Sequence, residues 1–287
     1  MKTAVAPVSF HRPTRRLAGG LTRIAALLGV LVLAACASDR DDFSLDPARP
    51  AAVIYNEGLA FMEAGRYRNA IESFEELDLY YPYSEDARRG MILTAVAAYE
   101  IDDYELTIAT TERFLQLYPS HEDADYALYL LAEANLRTVP DITRSQEAAR
   151  DALAANEELV ERFPNSEYAE AARLNIIAVR DQLAGQEMLV GRYYQERLEY
   201  PAALNRFRVV VTDYQDTRHV EEALFRLTET YLAMGLVGEA QTAAAVLGFN
   251  FPSSKWYEEA YALLGAGAGV EPNNNGGWLS RLFGGRG

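Results

Sequence analysis

The chain has 287 residues and a formal charge of −15, with 42 acidic against 27 basic side chains. That balance argues against a nucleic-acid binder and against a protein that lies flat on anionic lipid, since both need basic surface. Cys36 is the only cysteine, which excludes a disulfide within the chain.

Residues 1–35 carry Lys2, Arg12, Arg15, Arg16 and Arg23 and no acid, so the charge of residues 36–287 is close to −20. Basic residues come first, an apolar run from Ile24 to Ala35 comes next, and Leu33-Ala34-Ala35-Cys36 closes it. This order is that of an export leader, not of a folded element. The closing tetrapeptide resembles the lipobox of bacterial lipoproteins. A thiol is needed for the thioether to a diacylglycerol, and small neighbours fit the protease cleft. The resemblance implies cleavage before Cys36, with a diacylglycerol on its sulfur and an acyl chain on its nitrogen, a firm anchor where one chain would be marginal. The apolar run is too short and too rich in alanine and glycine to read as a membrane span. Ala37 stands where an aspartate would signal inner-membrane retention, which implies sorting to the outer membrane, facing the periplasm. Thr14-Arg15-Arg16-Leu17 faintly echoes a twin-arginine signal but reads as ordinary basic flank. Residues 36–50, with four aspartates, Pro47 and Pro50, read as a polar tether.

From Ala51 to Leu264 apolar residues recur every three or four positions, with almost no strand-like alternation. The expected fold is all-α. Helices are expected over 51–64 and 67–80, 84–101 and 104–117, 120–136 and 144–162. Two more, broken near Ala184-Gly185, are expected within 166–198. Then come 201–213, 217–234, 237–248 and a closing helix at 254–264.

The segments also repeat. Tyr81-Pro82-Tyr83-Ser84, Tyr118-Pro119-Ser120-His121, Phe163-Pro164-Asn165-Ser166, Tyr214-Gln215-Asp216-Thr217 and Phe251-Pro252-Ser253-Ser254 are variants of one word. Their second residues lie 37, 45, 51 and 37 positions apart. Proline lacks the amide a continuing helix needs. Ser84, Ser120, Ser166, Thr217 or Ser254 can accept from free amides of the next helix, whose early acids suit its positive end. A softer turn falls within each repeat, as at Ala64-Gly65-Arg66-Tyr67 and Arg197-Leu198-Glu199-Tyr200. Small residues come after it at Ala70, Ala203 and Ala240. This grammar resembles the tetratricopeptide repeat, clearest from Gly58 to Pro82 and weaker where Thr107 and Gln215 replace expected residues. One hairpin cannot bury its apolar face alone, so about five should stack into a superhelical solenoid. Leu77, Leu115, Leu159, Val210 and Leu247 are the expected core. Residues 265–287 read as a flexible Gly/Asn-rich tail. Its Trp278-Leu279 and Leu282-Phe283 suit either a frayed end or a small docking segment.

Three stretches carry a closer resemblance. They are Ala70-Ile71 through Tyr81-Pro82; Glu112-Arg113-Phe114-Leu115 through Tyr129; and Phe163-Pro164-Asn165-Ser166 through Arg180, Glu187, Tyr193-Tyr194 and Arg197 to Asn205-Arg206. Together with the lipobox they resemble the BamD family, lipoproteins of the machine that inserts β-barrel proteins into the Gram-negative outer membrane. Asn135 to Gln146 is a compact insert in the third hairpin, where members of that family vary. The resemblance implies a non-enzymatic scaffold. Its carboxy-terminal repeats would bind periplasmic domains of the barrel-forming subunit, and its amino-terminal repeats would meet unfolded outer membrane proteins. Other assembly lipoproteins would dock on the same scaffold.

In a tetratricopeptide stack the first helices line one groove. There Tyr55, Asn56, Tyr99, Tyr126 and Tyr129 are candidates for substrate contact, because a tyrosine offers a rigid ring and a hydroxyl for a backbone group; ordinary helix packing is the alternative for each. Arg197, Asn205 and Arg206 are candidates for the barrel subunit, with Arg206 expected near Tyr193 and Tyr194. An internal pair with Glu196 or Glu199 is the alternative there, and charge reversal at Arg206 is expected to weaken capture while sparing helicity. His121 and His219 read as surface turn residues, not metal ligands. No cysteine–histidine cluster, phosphate loop or zinc motif is found, so no catalytic or metal residue and no cofactor besides the lipid is expected. A tetratricopeptide lipoprotein that scaffolds cell-wall synthesis or division proteins is the competing role.

Overall fold

The computed structural model describes residues 49–265. The leader over 1–35, Cys36, the tether up to residue 48 and the tail from 266 lie outside the described residues. The helices are α1 (Ala51–Glu63), α2 (Tyr67–Tyr80), α3 (Glu85–Glu100), α4 (Tyr104–Leu117), α5 (Ala124–Thr138), α6 (Glu147–Arg162), α7 (Ala169–Glu196), α8 (Tyr200–Asp213), α9 (Val220–Ala233), α10 (Val237–Asn250) and α11 (Lys255–Leu264). No strand occurs among the described residues. Each helix packs on the next, and α1 also meets α3, α3 meets α5 and α9 meets α11. Five hairpins in tandem with α11 closing the series give the expected tetratricopeptide-like solenoid.

The repeated word folds the same way each time. Tyr81, Tyr118, Phe163, Tyr214 and Phe251 each stand just after a second helix with φ between −127° and −135°. Each donates its amide to the carbonyl four residues earlier, on Leu77, Phe114, Leu159, Val210 and Leu247 respectively. Those five side chains are 0% exposed. The aromatic rings lie half-buried over the same seam. Thus four of the five expected core residues are in place, and the fifth is corrected. Phe114, not the half-buried Leu115, fills the second copy, because the buried position is counted back from the proline and Leu115 is one residue out of register.

The next helix starts less uniformly. Ser84 Oγ accepts from the Ala87 amide at 3.0 Å, and Ser254 Oγ from Trp256 at 3.2 Å. Ser166 Oγ accepts from Tyr168 at 3.2 Å, just before α7. Thr217 does not cap in this way; its hydroxyl donates to the Tyr214 carbonyl at 2.8 Å. At the second boundary His121 Nδ1 accepts from the Asp123 amide at 3.3 Å, and α5 starts only at Ala124. The fourth boundary, where Gln215 replaces proline, is held by α7 instead. Arg180 Nε lies 3.0 Å and Nη2 2.8 Å from the Asp216 carboxylate, and Nη2 also donates to the Asp213 carbonyl at 2.6 Å. The guanidinium lies over the Tyr214 ring and holds the Asp216 carboxyl below the usual carboxylate range.

The expected break near Ala184-Gly185 is absent: α7 runs unbroken for 28 residues. Gly185 is buried there, and a Cβ on it would come 3.1 Å from Ile142 Cδ1 and 3.3 Å from His219 Nε2. The glycine admits neighbours and does not end the helix. A glycine inside a helix costs only about 1 kcal/mol, which packing on both faces offsets. Close approach explains two other glycines as well. A Cβ on Gly58 or Gly191 would meet the ring of Phe74 or Phe207; each phenylalanine lies sixteen positions on, in the paired second helix.

The insert is shorter than expected, since α5 extends to Thr138. Its loop is fastened to α7. Gln146 is fully buried, donates to the Asp141 and Arg144 carbonyls, and accepts from Gln182 Nε2 at 2.7 Å. At the amino end, Arg49 pairs with Glu57 and Glu76, and its carbonyl accepts from Tyr81 Oη at 2.9 Å.

Replacing Phe114 with alanine should cost about 3–5 kcal/mol of unfolding free energy, and Leu115→Ala less than about half of that. Urea denaturation of the two variants beside the parent checks the order.

Candidate protein-docking surfaces

The amino-terminal candidates divide into two groups. Tyr126 and Tyr129 share one face of α5, one turn apart. Both pack on Tyr168, a residue that the sequence pattern does not single out. Tyr129 stacks on Tyr168 with centroids 4.8 Å apart and rings 17° from parallel, and Tyr126 lies 5.3 Å from Tyr168. Burial raises the phenol pKa of Tyr126 and Tyr129 and, with Glu167 nearby, pushes Tyr168 up to about 12. All three stay half-exposed and neutral, so their hydroxyls keep both donor and acceptor capacity. Tyr99, near the end of α3, is tied to α5: its hydroxyl accepts from Arg137 Nε at 3.1 Å, and its ring meets Tyr104 edge-on at 5.6 Å. Tyr55 lies elsewhere, with its ring 6.0 Å from Phe74, and Asn56 beside it is exposed. The structure therefore joins Tyr126, Tyr129 and Tyr168, links Tyr99 through Arg137, and sets Tyr55 against the first hairpin's core.

At the other end, Arg206 pairs with Glu187 of α7, Nη1 to Oε2 at 3.0 Å. The Glu187 carboxylate is mostly buried and the guanidinium about half exposed. The expectation that Arg206 lies by Tyr193 and Tyr194 is corrected. Tyr193 and Tyr194 lie in the last turn of α7, whereas Arg206 is well along α8, so its long side chain reaches Glu187 further back on α7. Arg197 takes the place beside the aromatic pair. Its guanidinium is 5.3 Å from the Tyr193 centroid, and Nε is 3.6 Å from Glu199 Oε1. Arg197, Leu198 and Tyr193 are all exposed, Leu198 at 69% with φ +62°. A leucine in the left-handed region costs roughly 1–2 kcal/mol. Asp102 and two glycines hold the same place in other hairpins, so a bulky apolar group here is projected outward at a local cost. Asn205 is exposed on α8 next to Arg206.

A charged network on α7 and α9 goes beyond the sequence expectation. Arg192 Nη1 meets Glu222 at 2.9 Å, Arg226 bonds Glu222 and Glu229, and Gln195 reaches Glu229 and Thr230. Arg226 also lies over Trp256 of α11. These groups are alternating charges at helical spacing, a pattern any solvated helix face can share, which is why the sequence alone does not single them out.

Neither histidine is a plain surface residue. His121 is half-buried, edge-on to Phe114 at 5.4 Å. His219 is half-buried near Ile142 and Gly185, with Nε2 3.7 Å from Asp181 Oδ1. It borders an open cleft of about 630 Å³ with Arg192 and Arg218. Among the described residues, no group of three or more histidine, cysteine, aspartate or glutamate side chains could hold a metal ion. No helix there is long and apolar enough to cross a membrane. Cys36 lies outside the described residues.

Comparison with known proteins gives a consistent result. Residues 47–247 match the family model described as outer membrane lipoprotein. The chain is 42% identical over 253 residues to the outer membrane protein assembly factor BamD of Caulobacter vibrioides, covering 87% of this chain and 83% of that one. Against the BamD of Rickettsia prowazekii it is 36% identical over 242 residues, covering 84% and 96%. Against that of Neisseria meningitidis serogroup A it is 35% identical over 250 residues, covering 80% and 91%.

Burial holds the His219 pKa below its ordinary 6.5, with Asp181 opposing in part and Arg218 assisting. The folded state thus binds fewer protons than the unfolded one. Stability is complete above the unfolded pKa and declines as pH falls through the lower folded value. Thermal unfolding followed from about pH 7 to about pH 5.5 should show that decline in the parent, and a flatter profile in His219→Gln.

Proposed function

The chain belongs to the BamD/YfiO family of outer membrane lipoproteins, and on that premise we propose how its surfaces serve assembly of β-barrel proteins. It is a non-enzymatic scaffold held on the periplasmic face of the outer membrane, working with components of the barrel assembly machine. The observation that carries this reading is a likeness spanning most of both chains, rather than one shared hairpin. The anchor is Cys36, bearing a diacylglycerol on sulfur and an acyl chain on nitrogen, continued by the tether to residue 50.

Two surfaces divide the labour. The face bearing Tyr99, Tyr126, Tyr129 and Tyr168 receives unfolded outer membrane proteins, and Tyr55 and Asn56 give a second contact apart from it on the first hairpin. Extended chains present backbone groups and alternate apolar side chains, which half-buried neutral tyrosines can meet with hydroxyls and ring faces. The α7–α8 turn, with Arg197 and Leu198 exposed and Asn205 and Arg206 on the next helix, receives periplasmic domains of the barrel-forming subunit. Other assembly lipoproteins use the remaining faces. Arg206 is already paired with Glu187, so its reversal would bring two carboxylates together and disturb the α7–α8 contact as well as any partner. Arg197 is the cleaner probe.

Co-purification from detergent-solubilised envelopes tests both levels. The parent should recover an outer membrane barrel with several periplasmic domains, and Arg197→Glu should recover at least about fivefold less of it at unchanged helicity, the loss of roughly 1 kcal/mol of contact. Equal recovery removes Arg197 from the interface. Recovery of cell-wall synthases or division proteins alone would favour the competing scaffold role.

A further inference from the structure

Among the described residues, α11 leaves open a face that is covered on the earlier helices of the stack. Helices α3 and α11 both start directly after a serine whose hydroxyl accepts from an early amide, Ser84 and Ser254. Counted from that shared cap, Met91, Ile92 and Leu93 of α3 correspond to Tyr261, Ala262 and Leu263 of α11. Met91 and Ile92 are 5% and 7% exposed, because Phe114 and Leu115 of α4 and Ala127 of α5 cover them. Tyr261 and Leu263 are 44% and 48% exposed, and Ala262 is open too. Among the described residues α11 packs on α9 and α10 and has no later helix to play the part of α4. Phe249 of α10, 84% exposed, adds to the apolar surface at this end.

We propose that the chain's own carboxy-terminal segment, Trp278 to Phe283, occupies this face, in the place that α4 takes on α3. Three observations select this occupant. First, the segment is the only apolar run after α11: Trp278, Leu279, Leu282 and Phe283 fall at spacings that share one helix face. Second, the reach fits. A Gly/Asn-rich linker of the length between Gly265 and Trp278 spans about 20 Å, and ten helical residues such as α11 are about 15 Å long. A tether of that length places the segment at an effective concentration of about millimolar. Third, charges complement: residues 266–287 carry Arg281 and Arg286 against Glu271 alone, while α11 exposes Glu258 and Glu259. Apolar contact provides the attachment and Arg281 beside the two glutamates sets its direction.

Disulfide trapping in the full-length acylated protein tests this. Tyr261→Cys with Leu282→Cys should form an intrachain disulfide under mild oxidation at least about tenfold faster than Tyr83→Cys with Leu282→Cys, whose first position lies at the far end of the stack. Adding Trp278→Ala and Phe283→Ala to the first pair should slow trapping to the control rate, with circular dichroism showing unchanged helicity. Mass spectrometry identifies which cysteines are joined. Equal rates for the two pairs overturn the proposal. So do disulfides formed only between chains, which would assign the face to a second copy. Trapping that disappears when vesicles containing anionic lipid are added also overturns it, by assigning the segment to the membrane.

Discussion

A single helical hairpin in this chain has more apolar surface than its two helices can hide from each other, and the whole architecture results from how the next hairpin covers it. The covering is organised at one junction, used five times. An aromatic residue closes the last turn of each second helix, and the residue whose carbonyl it satisfies is a large side chain with no exposure. One geometric unit thus ends a helix, lids the seam and turns the chain to its next neighbour. Where the fourth junction lacks its proline, Arg180 reaches across from α7 and supplies the closure with a forked ion pair and a carbonyl bond. The buried leucines, phenylalanine and valine at these points each contribute roughly 2 kcal/mol by area, so packing at the junctions, more than helix propensity, joins one hairpin to the next.

The same constraint explains how much is legible without coordinates. The hairpin number, their order and most helix ends come from the aromatic-proline word and the 3.6-residue period, because both act locally. The features that the sequence conceals depend on distant partners. Gly185 resembles a helix breaker until Ile142 and His219 are seen against it. Arg206 resembles a free cation until Glu187 is seen opposite it. Leu115 resembles the seam residue until the count from Pro119 shows Phe114 there. Tyr168 sits in the turn before α7, outside the first helices where groove residues are expected; an aromatic two positions after the Ser166 cap is the signal that could have found it.

For the surfaces, charge and exposure must be read together. Many conspicuous arginines of the carboxy-terminal half are committed internally: Arg180 to Asp216, Arg206 to Glu187, Arg192 and Arg226 to Glu222. Exposed pairs of this kind add little stability, while those with a buried carboxylate fix the register of neighbouring helices. The surface left for partners is mixed aromatic and apolar, the Tyr126–Tyr129–Tyr168 stack at the start of α7 and Tyr193, Arg197 and Leu198 at its end. A stack held together by nearest neighbours can present both at once.

That dependence on neighbours is the central claim, and native-state hydrogen exchange on Leu159→Ala measures it most directly. Leu159 lies at the junction between the third and fourth hairpins, packed with Leu128 of α5 and Ala172 of α7. Amide protection should fall together in α5, α6 and the first turns of α7, by an amount matching about 2–5 kcal/mol, and the loss should fade towards α1 and α2. A loss confined to α6, with α5 and α7 as protected as in the parent, would contradict the account.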